Sequence, residues 1–198
     1  MGSWGGKLCG RAILGAALGA LLLSALFCHG ATAQVADGDR PLDGDAYTAA
    51  EAAIFKAWIE AGHGSVSMTG YDNTVNDFRA NVFIGTLGAT YGGPLLNGPV
   101  TTFFPHPITA GLTSVTFAGG YAVTAPGAGS NTLTALGSLP SAGNVAYAIQ
   151  ASKGRAFVWG DEWIEFDSEW STLPEVKQLW VNVFAWLAPK GCALTPPK

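Results

Sequence analysis

The chain reads as an α/β domain of three layers, a mainly parallel sheet flanked by helices, with a β-rich excursion at about residues 100–152. Three observations carry this reading. The first half alternates helix, strand and helix; residues 88–152 then turn rich in Thr and Val, punctuated by Gly and Pro. Finally a short apolar strand, Arg155-Ala-Phe-Val-Trp159, passes through Gly160-Asp161-Glu162-Trp163 towards a long amphipathic helix. Helices before and after runs of strands fit a layered α/β domain. Open sheets of this kind hold ligands outside the carboxyl ends of their strands. The turn after Trp159 is therefore the first place to look for a site.

The elements follow in order. Lys7 and Arg11 precede a 16-residue apolar stretch at 12–27, and Ala31-Thr32-Ala33 offers small residues for cleavage. That is the layout of a secretory signal peptide over residues 1–33, too short for a membrane span. It places the mature chain outside the cytoplasm, secreted or in a periplasm or cell envelope. Lipid attachment at Cys28 is the competing reading, disfavoured by the bulky Phe27 before it. Residues 34–46 are rich in Gly and Asp and read as a flexible lead-in. A single domain is expected over 47–190, with a tail at 191–198. Thr48-Ala-Ala-Glu51 is a capping box, since each side chain can satisfy a backbone N–H at a helix start. Phe55, Trp58 and Ile59 then share a face, and Gly62 closes the helix. A strand is expected at 66–69 and a second helix at 74–87, where Val75, Phe78, Val82 and Phe83 recur at helical spacing. Strands follow at 101–104, 114–117, 121–124, 132–136, 145–150 and 155–159, with the glycines at 92, 93, 119, 120, 127 and 129 as turns. The last helix spans 174–187: Pro174 suits a first turn, and Val176, Leu179, Trp180, Val183 and Leu187 form its core-facing stripe.

Composition excludes several function classes. Beyond residue 33 the chain has eight basic and fourteen acidic residues, a formal charge of −6 over 165 residues. An acidic domain without a basic patch does not suit nucleic acid or an anionic membrane surface. Cys9 and Cys28 lie within the expected signal, leaving Cys192 alone with no partner for a disulfide. No Gly-x-Gly-x-x-Gly or Gly-Lys-Ser/Thr motif marks a nucleotide loop, and His and Cys show no zinc spacing, so no cofactor is expected.

Trp58-Ile59-Glu60-Ala61-Gly62 with Gly64-Ser-Val-Ser-Met-Thr-Gly70-Tyr71, His106-Pro107-Ile108-Thr109-Ala110-Gly111-Leu112, Gly154 to Asp161 and the helix ending Trp186-Leu187 together resemble class I glutamine amidotransferase-like domains. The chain is most similar to their non-catalytic branch, which includes trehalose-utilisation-type domains and related secreted bacterial domains. The resemblance covers most of residues 47–188 and implies a flavodoxin-like arrangement. Two departures matter. Catalytic members carry a cysteine in the turn that here reads Met68-Thr69-Gly70-Tyr71, and a histidine where this chain has Gly160-Asp161-Glu162; without an activated thiolate that chemistry is absent. Such domains also open with a strand, helix and strand before the helix capped at Thr48. Their shortfall here implies an uncovered sheet edge and self-association.

The candidate ligand residues are Gly70, Tyr71, Asp161, Glu162 and Trp163, at the tips of the two strands near 66 and 158. Trp163 and Tyr71, with Trp159 and Trp170, could stack on a sugar ring while carboxylates accept its hydroxyl protons; equally, large aromatics at this periodicity form core. Asp161, Glu162, Glu165, Asp167 and Glu169 could hold Ca²⁺. Alternatively they are the solvated face of a short amphipathic helix whose other stripe is Trp163, Phe166 and Trp170. The functional expectation is thus an exported, non-catalytic module binding a carbohydrate-type ligand or serving a structural role. The rival is a carbohydrate-active hydrolase with Asp161 or Glu162 and His106 as acid and base. A degenerate fragment without independent function is a third reading.

Overall fold

A computed structural model describes residues 47–69, 80–127, 129–140 and 142–188, together with the backbone of 35 and 36. Helix α1 (Ala49–Glu60) starts at the expected box: the Thr48 backbone N–H donates to Glu51 Oε2 at 2.7 Å, and the Glu51 N–H donates to Thr48 Oγ1 at 3.2 Å. It stops at Gly62, whose φ of 121° is one that residues with a Cβ rarely adopt. Strands β1 (Val35–Ala36), β2 (Gly64–Met68) and β8 (Gly154–Trp159) run parallel in the order β1-β2-β8. β1 falls within the segment read as a lead-in, so a short first strand comes from there.

The expected mainly parallel sheet is corrected to a mixed one. β8 continues through β7 (Gly143–Ala151), β6 (Thr132–Leu139) and β4 (Thr102–Phe103), all antiparallel. The cause is local: only Ser152 and Lys153 join β7 to β8, with Ser152 at φ 52°, and so short a link admits only antiparallel neighbours.

Period-two alternation sends the two faces of the sheet into two cores. Val66, Met68, Phe157 and Trp159 enter one, with Val176, Leu179, Trp180, Val183 and Leu187 of α4 (Pro174–Leu187). Ala156, Val158 and Ile149 enter the other, with Ala52, Phe55 and Ile59 of α1 and Phe83 and Ile84 of α2 (Asn81–Ile84). Each large aliphatic or aromatic side chain so buried contributes about 1.5–3 kcal/mol, so α4 is held chiefly by its five-residue stripe. The first part of the expected helix at 74–87 lies outside the described residues. Its end is α2 followed by a 3-10 turn at Gly85–Leu87.

Two expectations in the β-rich part are overturned. An 11-residue strand, β3 (Thr90–Val100), runs through Gly92 and Gly93, expected as turns, and through Pro94. It pairs antiparallel with β5 (Val115–Thr124), one strand where two were expected. Edge positions in a two-stranded ribbon tolerate proline, and the register shifts between Gly92 and Asn97 absorb the glycines as bulges.

Candidate functional site

β2 and β8 end side by side, with Met68 opposite Trp159, so the two strand tips meet as their parallel pairing requires. Gly70 and Tyr71 lie outside the described residues. Of the other candidates, Asp161 does not face solvent. It is fully buried, because β5 crosses the tip of β8 directly above it. The Tyr121 N–H donates to Gly160 O at 2.7 Å, and a Cβ on Gly120 would lie 2.6 Å from the Asp161 Cβ, so glycine permits the close approach. β5 sends Val115 and Phe117 into one core and Val123 into the other, straddling the sheet end.

The Asp161 carboxylate ties this crossing together. Oδ2 accepts the Ala118 N–H of β5 at 2.6 Å and Oδ1 accepts the Trp163 N–H at 3.1 Å. Burial raises its pKa above the ordinary value of 3.8, and the backbone donors of Ala118, Trp163 and Glu162 oppose that rise. An acid so enclosed is a structural anchor rather than an open ligand contact.

The continuous amphipathic helix expected over 161–170 is replaced by a 3-10 turn at Trp163–Glu165 and a short helix, α3 (Asp167–Thr172). Ile164, not Trp163, supplies the buried apolar side chain. Its carbonyl accepts the indole N–H of the buried Trp180 on α4 at 2.7 Å, which pins the turn. Trp163 is left half-buried, edge-on to Phe166 at 5.5 Å between ring centroids. Phe166 and Trp170 are 43% and 39% exposed, so the stripe read as a core face points outward. Lys177 lies 5.8 Å from the centre of the Trp170 ring. Glu162, Glu165 and Glu169 are half-buried nearby and Asp167 is exposed. Among the described residues no three His, Cys, Asp or Glu side chains converge on one point. Trp159, by contrast, is core, stacked 6.2 Å from Phe157 and tilted 5.8 Å from Phe117.

His106 sits elsewhere. Its Nδ1 accepts the Ile108 N–H at 3.2 Å, which caps a 3-10 turn at Pro107–Thr109, and its ring meets Trp186 edge-on at 5.2 Å. The Trp186 carbonyl in turn accepts a hydrogen bond from Arg155, at the start of β8. Asp161 follows the end of that strand. At about 3.3 Å per residue the path from Arg155 to Asp161 is on the order of 20 Å, so His106 lies by the start of the strand and Asp161 beyond its end. That placement gives no support to concerted acid–base work by His106 with Asp161 or Glu162, because both groups must reach one substrate bond.

Sequence reasoning missed β5 as the cover, and Phe166 and Trp170 as surface. Tyr91 was also missed; its buried hydroxyl pairs with Ser67 Oγ at 2.8 Å and burial pushes the phenol's pKa up. No signal for the cover exists in local sequence, since Ala118 and Asp161 are 43 residues apart.

Comparison with known proteins gives the fold alone. No family model matches the sequence, and no curated protein matches it. The solved mmIFT52 N-terminal domain is 17% identical with a TM-score of 0.57, over 75% of this chain and 75% of that one. Two cytoplasmic proteins of Salmonella typhimurium are 15% and 13% identical, each with a TM-score of 0.54 over 70% of this chain. This chain spans 61% and 60% of their lengths. At these identities the likeness shows a shared α/β architecture and carries nothing about activity. No helix among the described residues is long and apolar enough to cross a membrane.

Proposed function

We propose that this is an exported, non-catalytic amidotransferase-like module that binds a carbohydrate-type ligand on the aromatic surface formed by Trp163, Phe166 and Trp170. One observation carries this reading: three aromatic side chains lie at least partly open beside carboxylates, immediately after the tip of β8, while β5 covers the tip itself. An aromatic face stacks on the apolar face of a sugar ring, and neighbouring carboxylates accept its hydroxyl protons. The Trp180–Ile164 and Asp161–Trp163 hydrogen bonds hold the turn in place, so little ordering is needed on binding. The remoteness of His106 supports binding rather than turnover. Self-association through the sheet edge is a secondary property of this reading, since β1 is the marginal strand of the sheet.

A glycan array on the mature protein, followed by calorimetry on any positive oligosaccharide, tests the proposal. Trp163→Ala and Trp170→Ala should each weaken binding about tenfold with little change in Tm, the scale expected for a lost stacking contact. Unchanged affinity in both variants would refute the aromatic surface as the site.

A further inference from the structure

At the opposite end of β8, Arg155 presents a charge that no acid among the described residues meets. We infer that Arg155, with His106 beside it, forms a receiving site for a carboxylate group, separate from the aromatic surface. The site stands on four observations.

The guanidinium is held in place but not saturated. Its Nε donates to Gln150 Oε1 at 3.2 Å and its Nη1 donates to the Trp186 carbonyl, with the carbon of the guanidinium 5.2 Å from the centre of the Trp186 ring. Two of five N–H donors are thus used. Among the described residues no carboxylate lies within ion-pair distance of it. Capping the last turn of α4 accounts for Nη1, as cations do at helix C-termini, but leaves Nη2 without a partner among the described residues.

Gln150 in turn donates its amide to Ser152 O at 2.9 Å and Gly154 O at 2.8 Å, so the group that orients Arg155 is itself fixed. A guanidinium restrained on one edge and open on another is set for two parallel hydrogen bonds to a planar carboxylate.

His106 adds a donor. Because Nδ1 accepts from the Ile108 N–H, the proton of the neutral ring sits on Nε2, which has no partner among the described residues. Burial, and then the Arg155 charge, hold its pKa below the ordinary 6.5, so the ring is neutral at pH 7. Among the described residues β8 brings Arg155 near it, and α4 brings Trp186 and Asn182, the latter bonded at 2.9 Å to both Ile108 O and Ala110 O. The ionisable side chains of α4, Glu175 and Lys177, sit in its first turns, nine or more residues before Trp186. A carboxylate bound here would oppose the Arg155 charge and raise that pKa.

The acidic cluster after β8 does not oppose an anion here. The acids at 161–169 follow the far end of β8, about 20 Å away, well beyond the screening length of about 8 Å at physiological salt.

A carboxylate could come from an acidic sugar or from a peptide C-terminus. Titration of the protein with sodium glucuronate and, separately, with N-acetylglycine distinguishes them, with glucose as the uncharged control. Read by NMR, the His106 Cε1–H and Trp186 indole N–H signals should shift saturably with at least one carboxylate and not with glucose, and the His106 pKa should rise in the bound state. Response to glucuronate alone identifies an acidic sugar; response to N-acetylglycine alone identifies a peptide end. Arg155→Lys, which keeps the charge and loses the fork, should weaken the binding at least tenfold. No saturable shift with either carboxylate, or equal affinity in Arg155→Lys, would overturn the site. Should that variant fail to fold through loss of the α4 cap, the wild-type titration decides alone. The aromatic surface is read by Trp163 and Trp170, so the two proposals fail separately.

Discussion

Replacing Asp161 tests whether β5 is fastened across the strand tip as described. Asp161→Ala removes the acceptor of the Ala118 and Trp163 N–H groups, in a place closed to solvent. Each stranded buried donor costs about 1–3 kcal/mol. Relief from burying a charge offsets part of this, since burial already disfavours the ionised form. A net loss of about 3 kcal/mol follows, a large share of a typical stability of about 5–15 kcal/mol. At a urea slope of about 2 kcal/mol/M the unfolding midpoint should fall by about 1.5 M. The pH dependence has a definite sign. The folded-state pKa of Asp161 lies above its unfolded value, so its contribution is fully present below about 3.9 and is lost as pH rises through the higher folded value. In Asp161→Asn, which keeps one acceptor, that slope should vanish and the loss at neutral pH should be smaller than in Asp161→Ala. Urea melts across pH 4–7 and amide hydrogen exchange at Ala118 provide the readouts. A midpoint shift below about 0.3 M for Asp161→Ala would refute the anchor; stability in the wild type that rises through that window relative to Asp161→Asn would instead mean that the backbone donors outweigh burial.

Other substitutions probe the frame that carries the site. Gly154→Ala would bring a Cβ against the Ile59 carbonyl and within 2.6 Å of the His63 carbonyl, neither of which can yield. A loss of about 3 kcal/mol or more is expected, and an unchanged Tm would contradict the packing of α1 on β8. Thr48→Ala should cost about 1 kcal/mol by chemical denaturation through loss of the cap; a neutral result would mean the box is not formed in solution. Leu179→Ala, at the centre of the α4 stripe, should cost about 2–5 kcal/mol, and a calorimetric change below 1 kcal/mol would place α4 away from the core.

What was legible in the sequence was what depends on neighbours a few residues apart. The Thr48–Glu51 box and the α4 stripe follow from helical spacing, and both boundaries of α4 agree with expectation. The parallel pairing of β2 with β8 was also anticipated, since two apolar strands separated by a long crossover can align that way. β3 was not legible, because Gly-Gly-Pro and Asn-Gly-Pro are turn signals unless a ribbon edge accommodates them. Nor was the burial of Asp161, which depends on a donor 43 residues earlier. Phe166 and Trp170 were misread for a related reason: the stripe assumed one continuous helix, and a break at Phe166 turns both rings outward.

The most direct test follows the tryptophan indole N–H signals during titration with an oligosaccharide selected on the array. Trp163 and Trp170 should shift together and saturate, while Trp159, closed in beneath β5, should stay fixed. Movement of Trp159 with the amides of Gly120 and Asp161, and stillness at Trp163 and Trp170, would mean that ligand enters at the strand tip and that β5 does not close it.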